Sequence, residues 1–221
     1  MTWLPIDAAS LSERDAVLDL KPEVHARLRE LLTLAWQITD ARLLDLCRLR
    51  LAQMMTARAE TAGADAGLLV DLDGWRSRPA FSDRERAALA YAEQYHRDHQ
   101  QISNDQHDAI ARHLSPRELV NFVWALHMND AYLRVLSLLD IDPDPPSSPV
   151  RPERVPAKDR QPRPPSEPGA ARGRGAFADL DAEFREAYGV LGRAVVKQKL
   201  VDDVTSEAVR LHNASHQGCL Y

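Results

Sequence analysis

The chain lacks most of the features that would assign it to a special environment. Its two cysteines, Cys47 and Cys219, lie far apart, which excludes a disulfide framework and points to a reducing compartment. It lacks a strong charge bias: 28 Lys and Arg against 33 Asp and Glu leave a net charge of -5, which argues against nucleic acid or an anionic membrane as a partner. No apolar run approaches the ~20 residues that cross a bilayer. The opening, Met1 to Asp7, has neither a basic n-region nor an apolar h-region, so no signal peptide is expected and the cytoplasm is the expected location. No segment alternates at period two between turn signals, so no strands are expected.

What is there is a chain of 221 residues, 44% hydrophobic and 28% charged, with the composition of a globular protein. It has room for one ordinary domain and a small second one. Ten of its fourteen prolines fall within residues 142–175, among seven basic and five acidic residues and almost nothing apolar. Such a stretch buries too little surface to offset the entropy of ordering it, and reads as a semi-rigid tether. The expected layout is a helical domain over 1–141, a Pro-rich linker over 142–175 and a short third segment over 176–221.

Before the linker every periodic segment is helical. Val24, Leu28, Leu31, Leu32 and Ala35 follow Pro22 at helical spacing, and Leu43, Leu44, Cys47, Leu51, Met54 and Met55 follow Asp40 in the same way. Three further helices open with capping boxes at Ser82/Glu85, Ser103/Gln106 and Ser115/Glu118. The last of these begins the most apolar stretch, Leu119 to Leu139, the expected central helix. After the linker, Phe177, Leu180, Phe184 and Ala187 suggest one helix, Val190 to Val196 a second, and Thr205 or Ser206 the cap of a third. Only 46 residues follow Gly175, near the lower limit for an independent core, so these helices are expected to dock on something.

Two passages, Leu43-Leu44-Asp45-Leu46-Cys47-Arg48-Leu49-Arg50-Leu51-Ala52-Gln53 and Gly74 to Ala90, resemble the alkyl hydroperoxidase D and carboxymuconolactone decarboxylase superfamily. Ser206 to Tyr221 resembles the same signature helix again. The resemblance covers most of 24–141 and recurs over about 177–221, which implies an all-α protein with one full domain and the first helices of a second, incomplete copy. In redox members a glutamate and a Cys-x-x-Cys pair are separated by eleven intervening residues, with a histidine shortly after. Glu207 and Cys219 match the glutamate and first cysteine of the second copy; the second cysteine and the histidine would fall beyond Tyr221. In the first copy the matching positions are Asp45, Ala57, Glu60 and Ala64, so the redox residues there are replaced, although Asp45 and Glu60 are left as a different polar pair.

The candidate catalytic residues are therefore Cys219 as the thiol, Glu207 as its proton-transfer partner and His216 as a neighbour for the thiolate. On one straight helix, twelve residues separate Glu207 from Cys219 by ~18 Å of rise. They can meet only if the helix stops between them, for which Gly218 is suited. Cys47, on an apolar stripe, reads as a buried inert thiol. His212 and His216 lack the companions of a zinc motif, and the group His96, His99, His107 and His113 reads as hydrophilic surface rather than a metal site. Trp36, Trp75 and Trp124 read as core or interface aromatics.

The resemblance implies a thiol-dependent peroxidase of the peroxiredoxin type, impaired where the dithiol is incomplete, fed by a partner protein or small thiol. It also implies homo-oligomers, trimers or multiples of them, and no bound cofactor or metal. Two alternatives stand beside it: a non-catalytic self-associating helical module, and a lactone decarboxylase working without a cofactor. The last requires a basic or hydrogen-bonding pocket for a carboxylate together with a proton donor, and no such pocket can be assembled from the sequence alone.

Overall fold

Helix starts are set by local chemistry. Pro22 occupies the first turn of α1 (Pro22–Gln37), where its missing N–H is no loss. The Asp40 carboxylate accepts from the backbone N–H groups of Arg42 and Leu43 at 3.0 and 3.1 Å and so opens α2 (Ala41–Met54). Ser82, Ser103 and Ser115 open α4 (Asp83–Asp98), α5 (Asn104–Ala111) and α6 (Pro116–Leu138), and in each both arms of the capping box are made. A 3-10 turn, His99–Gln101, joins α4 to α5. These are the starts that the sequence implied. The structure, a computed structural model, describes residues 16–17, 19–55, 57, 61, 63–141, 178–197 and 202–216, without the side chains of 196, 197, 203, 210 and 212–216. Within them the chain is all-α and has no strand, and no helix is long and apolar enough to cross a membrane. The Pro-rich segment 142–175 lies outside the described residues.

Three local features differ from the expectation. An additional helix, α3 (Ala66–Asp73), is capped by Asp65, which accepts from Leu68 N–H at 2.7 Å. The two helices expected over 177–196 are one, α7 (Ala182–Lys197). Its apolar stripe of Phe184, Ala187, Leu191 and Ala194 stays in helical register past Gly189 and Gly192, and burial of that stripe outweighs the ~1 kcal/mol that each helical glycine costs. The last helix, α8 (Asp203–His216), is capped by Asp202, not by Thr205 or Ser206. Thr205 instead donates to the Asp202 carboxylate through its N–H at 2.9 Å and its hydroxyl at 2.7 Å.

The helices pack as two cores sharing α2 and α6. On one side Leu43, Cys47, Leu51, Leu72, Trp75, Leu89 and Phe122 join α2, α3, α4 and α6. On the other, Leu31, Leu34 and Ala35 of α1 meet Leu44, Ala125 and Met128, and the same core takes in Leu180, Phe184 and Ala187, which follow the Pro-rich stretch in sequence. A helix buried on both faces is apolar nearly all round, which is why 119–139 is the most hydrophobic stretch. The α7 register is fixed by a polar clasp: Asp181 caps α7 by accepting from Glu183 and Phe184 N–H, while its own N–H donates to Asn121 Oδ1 of α6 at 3.1 Å. By contrast α8 presents Val204, Val209 and Leu211 to solvent.

Phe184 is fully buried. Phe184→Ala is expected to cost about 3–5 kcal/mol in chemical denaturation, whereas the exposed Glu186→Ala should stay within about 0.5 kcal/mol.

Candidate functional site

The site is built on the C-terminal half of α4, and that half is anchored by one carboxylate. Glu93 is 1% exposed. Its Oε1 accepts from Arg50 Nε of α2 at 2.7 Å and from Trp75 Nε1 at 2.9 Å, and its Oε2 accepts from Arg76 Nη2 at 2.6 Å. Arg97 Nη2 adds an ion pair at 3.5 Å. The Arg76 guanidinium lies 4.3 Å from the centroid of the Trp75 ring, a cation–π contact, while Arg50 also reaches Asp73 at the end of α3. Burial alone would push the Glu93 carboxyl up, but the hydrogen bonds from Trp75, Arg76 and Arg50 and the Arg50 charge hold it down at about 2.

Past this anchor, Tyr95, His96 and His99 face His127, Asp130 and Arg134 of α6 across a cavity of about 760 Å³, with Arg97, Asp98, Gln100 and Ala131 completing the lining. Such a volume suits a small organic ligand. On α6 the three residues are spaced i, i+3 and i+7, which puts them on one face.

Two hydrogen-bonded units make up the polar wall. In the first, Tyr95 Oη and His127 Nδ1 are 2.8 Å apart. The Tyr95 phenol is pushed up to about 12, first by burial and then by the Asp130 charge, and the His127 imidazole is lowered, first by burial, with Asp130 opposing and His99 assisting. Both are therefore neutral near pH 7, and the hydrogen bond joins a neutral phenol to a neutral imidazole, its direction set by the His127 tautomer.

In the second unit, Asp130 Oδ1 lies 2.6 Å from His96 Nδ1 and Oδ2 accepts from Arg134 Nε at 2.8 Å. Burial opposes ionisation of Asp130, yet the hydrogen bonds from His96 and Arg134 overcome it and lower its pKa. With His96 donating through Nδ1, Arg134 Nη2 donates to the His96 carbonyl at 2.5 Å. That carbonyl is in the last turn of α4, where the helix dipole favours a cation. Arg134 remains 47% exposed at its side chain.

The sequence-derived candidates are distributed differently. Glu207 is exposed on α8; His216 closes that helix with its side chain outside the described residues, and Cys219, like Glu60, lies outside them altogether. Cys47 is fully buried and its thiol is pushed far above its usual value by burial, which makes it inert. Asp45 pairs with Arg48 at 2.9 Å. Of the four histidines read as surface, His107 and His113 are exposed, but His96 and His99 line the cavity, and His96 is largely covered. His127, Asp130 and Arg134 were missed, although their shared face on an otherwise apolar helix was a readable signal. Among the described residues no group of three or more His, Cys, Asp or Glu could hold a metal ion. No protein-family model matches the chain, and no curated protein matches it at a significant level.

Two outcomes follow from these charges. A folded-state pKa of about 2 against the ordinary 4.5 makes Glu93 a source of stability present above pH ~4.5 and lost as pH falls toward 2, about 3 kcal/mol in all. Denaturation curves of Glu93→Gln should lack that acid slope and show lower stability at pH 7. Asp130→Asn removes a charge that raises both neighbours, so the Tyr95 phenol pKa, read by ultraviolet titration, and the His127 pKa, read by NMR, should both fall.

Proposed function

We propose that this chain is an acid–base enzyme that takes a small organic acid into the α4–α6 cavity, and that its chemistry is of the lactone-decarboxylating kind implied by the family resemblance. The observation that carries this is the neutral Tyr95–His127 pair beside the ionised Asp130, which His96 and Arg134 hold by hydrogen bonds, in one cavity. The half-exposed Arg134 guanidinium and Arg97 supply positive charge for a substrate carboxylate. Tyr95 and His127 supply hydrogen-bond donors and an exchangeable proton.

The chemistry asked of them is modest. The carbon–carboxylate bond breaks, CO2 leaves, and the electron pair passes into conjugation with the lactone carbonyl as an enolate. A neutral donor at the enolate oxygen stabilises that charge better than it stabilises the substrate, which is the condition for catalysis. Protonation at carbon then completes the reaction, with the His127–Tyr95 pair as the proton's route. A general acid–base group of this sort contributes typically ~10²–10⁴-fold.

Thiol chemistry at Cys219 with Glu207 would leave this cavity unused, and the described residues contain no reactive thiol. It is separated by the same experiment. An unsaturated γ-lactone carboxylic acid is incubated with the full chain in D2O and followed by NMR. Loss of CO2 with one deuterium placed on carbon is expected, falling by about 100-fold or more in His127→Gln and unchanged in Cys219→Ser. Undiminished turnover in His127→Gln, or no turnover and no binding by the wild-type chain, sinks the proposal. Peroxide consumption that depends on Cys219 and ignores His127 would put thiol oxidoreductase activity in its place.

A further inference from the structure

His127, on the cavity wall, is backed through Trp124 by the segment that follows the Pro-rich stretch. Leu180, Phe184 and Ala187 bury α7 in the core shared with α1, α2 and α6, and the Asp181–Asn121 hydrogen bond sets its register. One turn past Phe184, Tyr188 is brought against Trp124 of α6, with ring centroids 5.0 Å apart and planes at 71°. Trp124 in turn meets the His127 imidazole edge-on, at 5.8 Å and 87°. His127 also meets Tyr95 at 6.3 Å and 79°, in addition to the 2.8 Å hydrogen bond. Three successive edge-to-face contacts, each within the range where such pairs attract, thus run Tyr188, Trp124, His127, Tyr95.

Trp124 and His127 are one turn apart on the same face of α6, and both are half-buried. Trp124 packs edge-to-face with the His127 ring, and Tyr188 is an aromatic neighbour that holds the indole there. We infer that Tyr188 is a positioning residue for His127, acting through Trp124, so that the segment after the Pro-rich linker is part of the site. Its functional meaning rests on the acid–base reading of the cavity. The ionisable groups that bear on His127 are Tyr95 and His99 from α4 and the turn after it and Asp130 from α6 itself. Tyr188 acts on it through the indole and also bears on Tyr95.

The test uses the full-length chain with isotopically labelled histidine, the His127 signal being assigned by its loss in His127→Gln. Tyr188→Ala lets the indole move away and water reach the imidazole, so the His127 pKa should rise by about half a unit or more toward the ordinary value. Tyr188→Phe keeps the ring and should titrate as the wild type does. Tyr188→Leu removes the ring but keeps apolar packing, and should shift His127 even if Tyr188→Ala is too unstable to measure. Where the lactone assay responds, kcat should fall with the shift in Tyr188→Leu and recover in Tyr188→Phe. Unchanged His127 titration in Tyr188→Leu with α7 still docked, judged from its amide signals, overturns the inference, as does a Tyr188→Phe variant that shifts as far as Tyr188→Leu. If the wild-type chain turns over no lactone but His127 still shifts, the acid–base function fails and the positioning stands.

Discussion

The buried carboxylate of Glu93 is the constraint on which the rest of this structure depends. A lone carboxylate with 1% exposure would be far too costly to keep ionised. Here it is surrounded by donors from three places in the chain: Arg50 on α2, Trp75 and Arg76 in the connection after α3, and Arg97 a turn further along α4. Glu93 and Arg50, both largely covered, cannot be separated without stranding a charge, so α2 and α4 are locked together by electrostatics and not by shape alone. Tyr95 and His96 follow Glu93 by two and three residues on the same helix. Their positions relative to α6 are inherited from that lock.

The opposite wall is inherited from apolar packing. α6 is clamped between two cores, with Phe122, Leu126 and Leu133 on one side and Ala125 and Met128 on the other. Such a helix has little room for polar residues, which is why the few it carries are bound to something: Asn121 to Asp181, Asn129 to the Ala125 carbonyl, and Asp130 to His96 and Arg134. The contribution of α7 enters through the second core. A segment separated from α6 by a long proline-rich stretch of sequence is thereby built into the same packing as α1.

Much of this was legible where the determining interaction is local. A capping box spans four residues and can be read off Ser82, Ser103 and Ser115 directly; Pro22 and Asp40 are equally plain. What was not legible depends on distance. The eight residues of α3 are too few to show a periodicity, and only Asp65 marks its start. The break expected between Ala187 and Val190 falls at Gly189, where intrinsic propensity is all that the sequence displays, whereas burial of Phe184 and Ala194 against other helices decides the outcome. The histidines divide in the same way. Nothing local distinguishes His96 from His113; only the approach of Asp130, 34 residues away, turns one into a wall of a cavity and leaves the other in solvent.

The two polar units of the cavity gain their value from being different. Asp130 is ionised because two donors reach it; His127 and Tyr95 are neutral because burial disfavours charge on either. Environments that push neighbouring titratable groups in opposite directions are what acid–base chemistry near neutral pH requires, since the donor must hold its proton and the acceptor must be free of one. The Asp130 charge does more than sit beside the pair. It opposes ionisation of the Tyr95 phenol and favours protonation of His127, so a proton arriving at the imidazole is stabilised while one leaving the phenol is not. A proton that reaches the pair is thereby held on His127, with Tyr95 retained as a neutral phenol. The same bias would be lost if the two units exchanged burial, which makes the packing of α6 between its two cores a determinant of the protonation states in the cavity and not only of the fold.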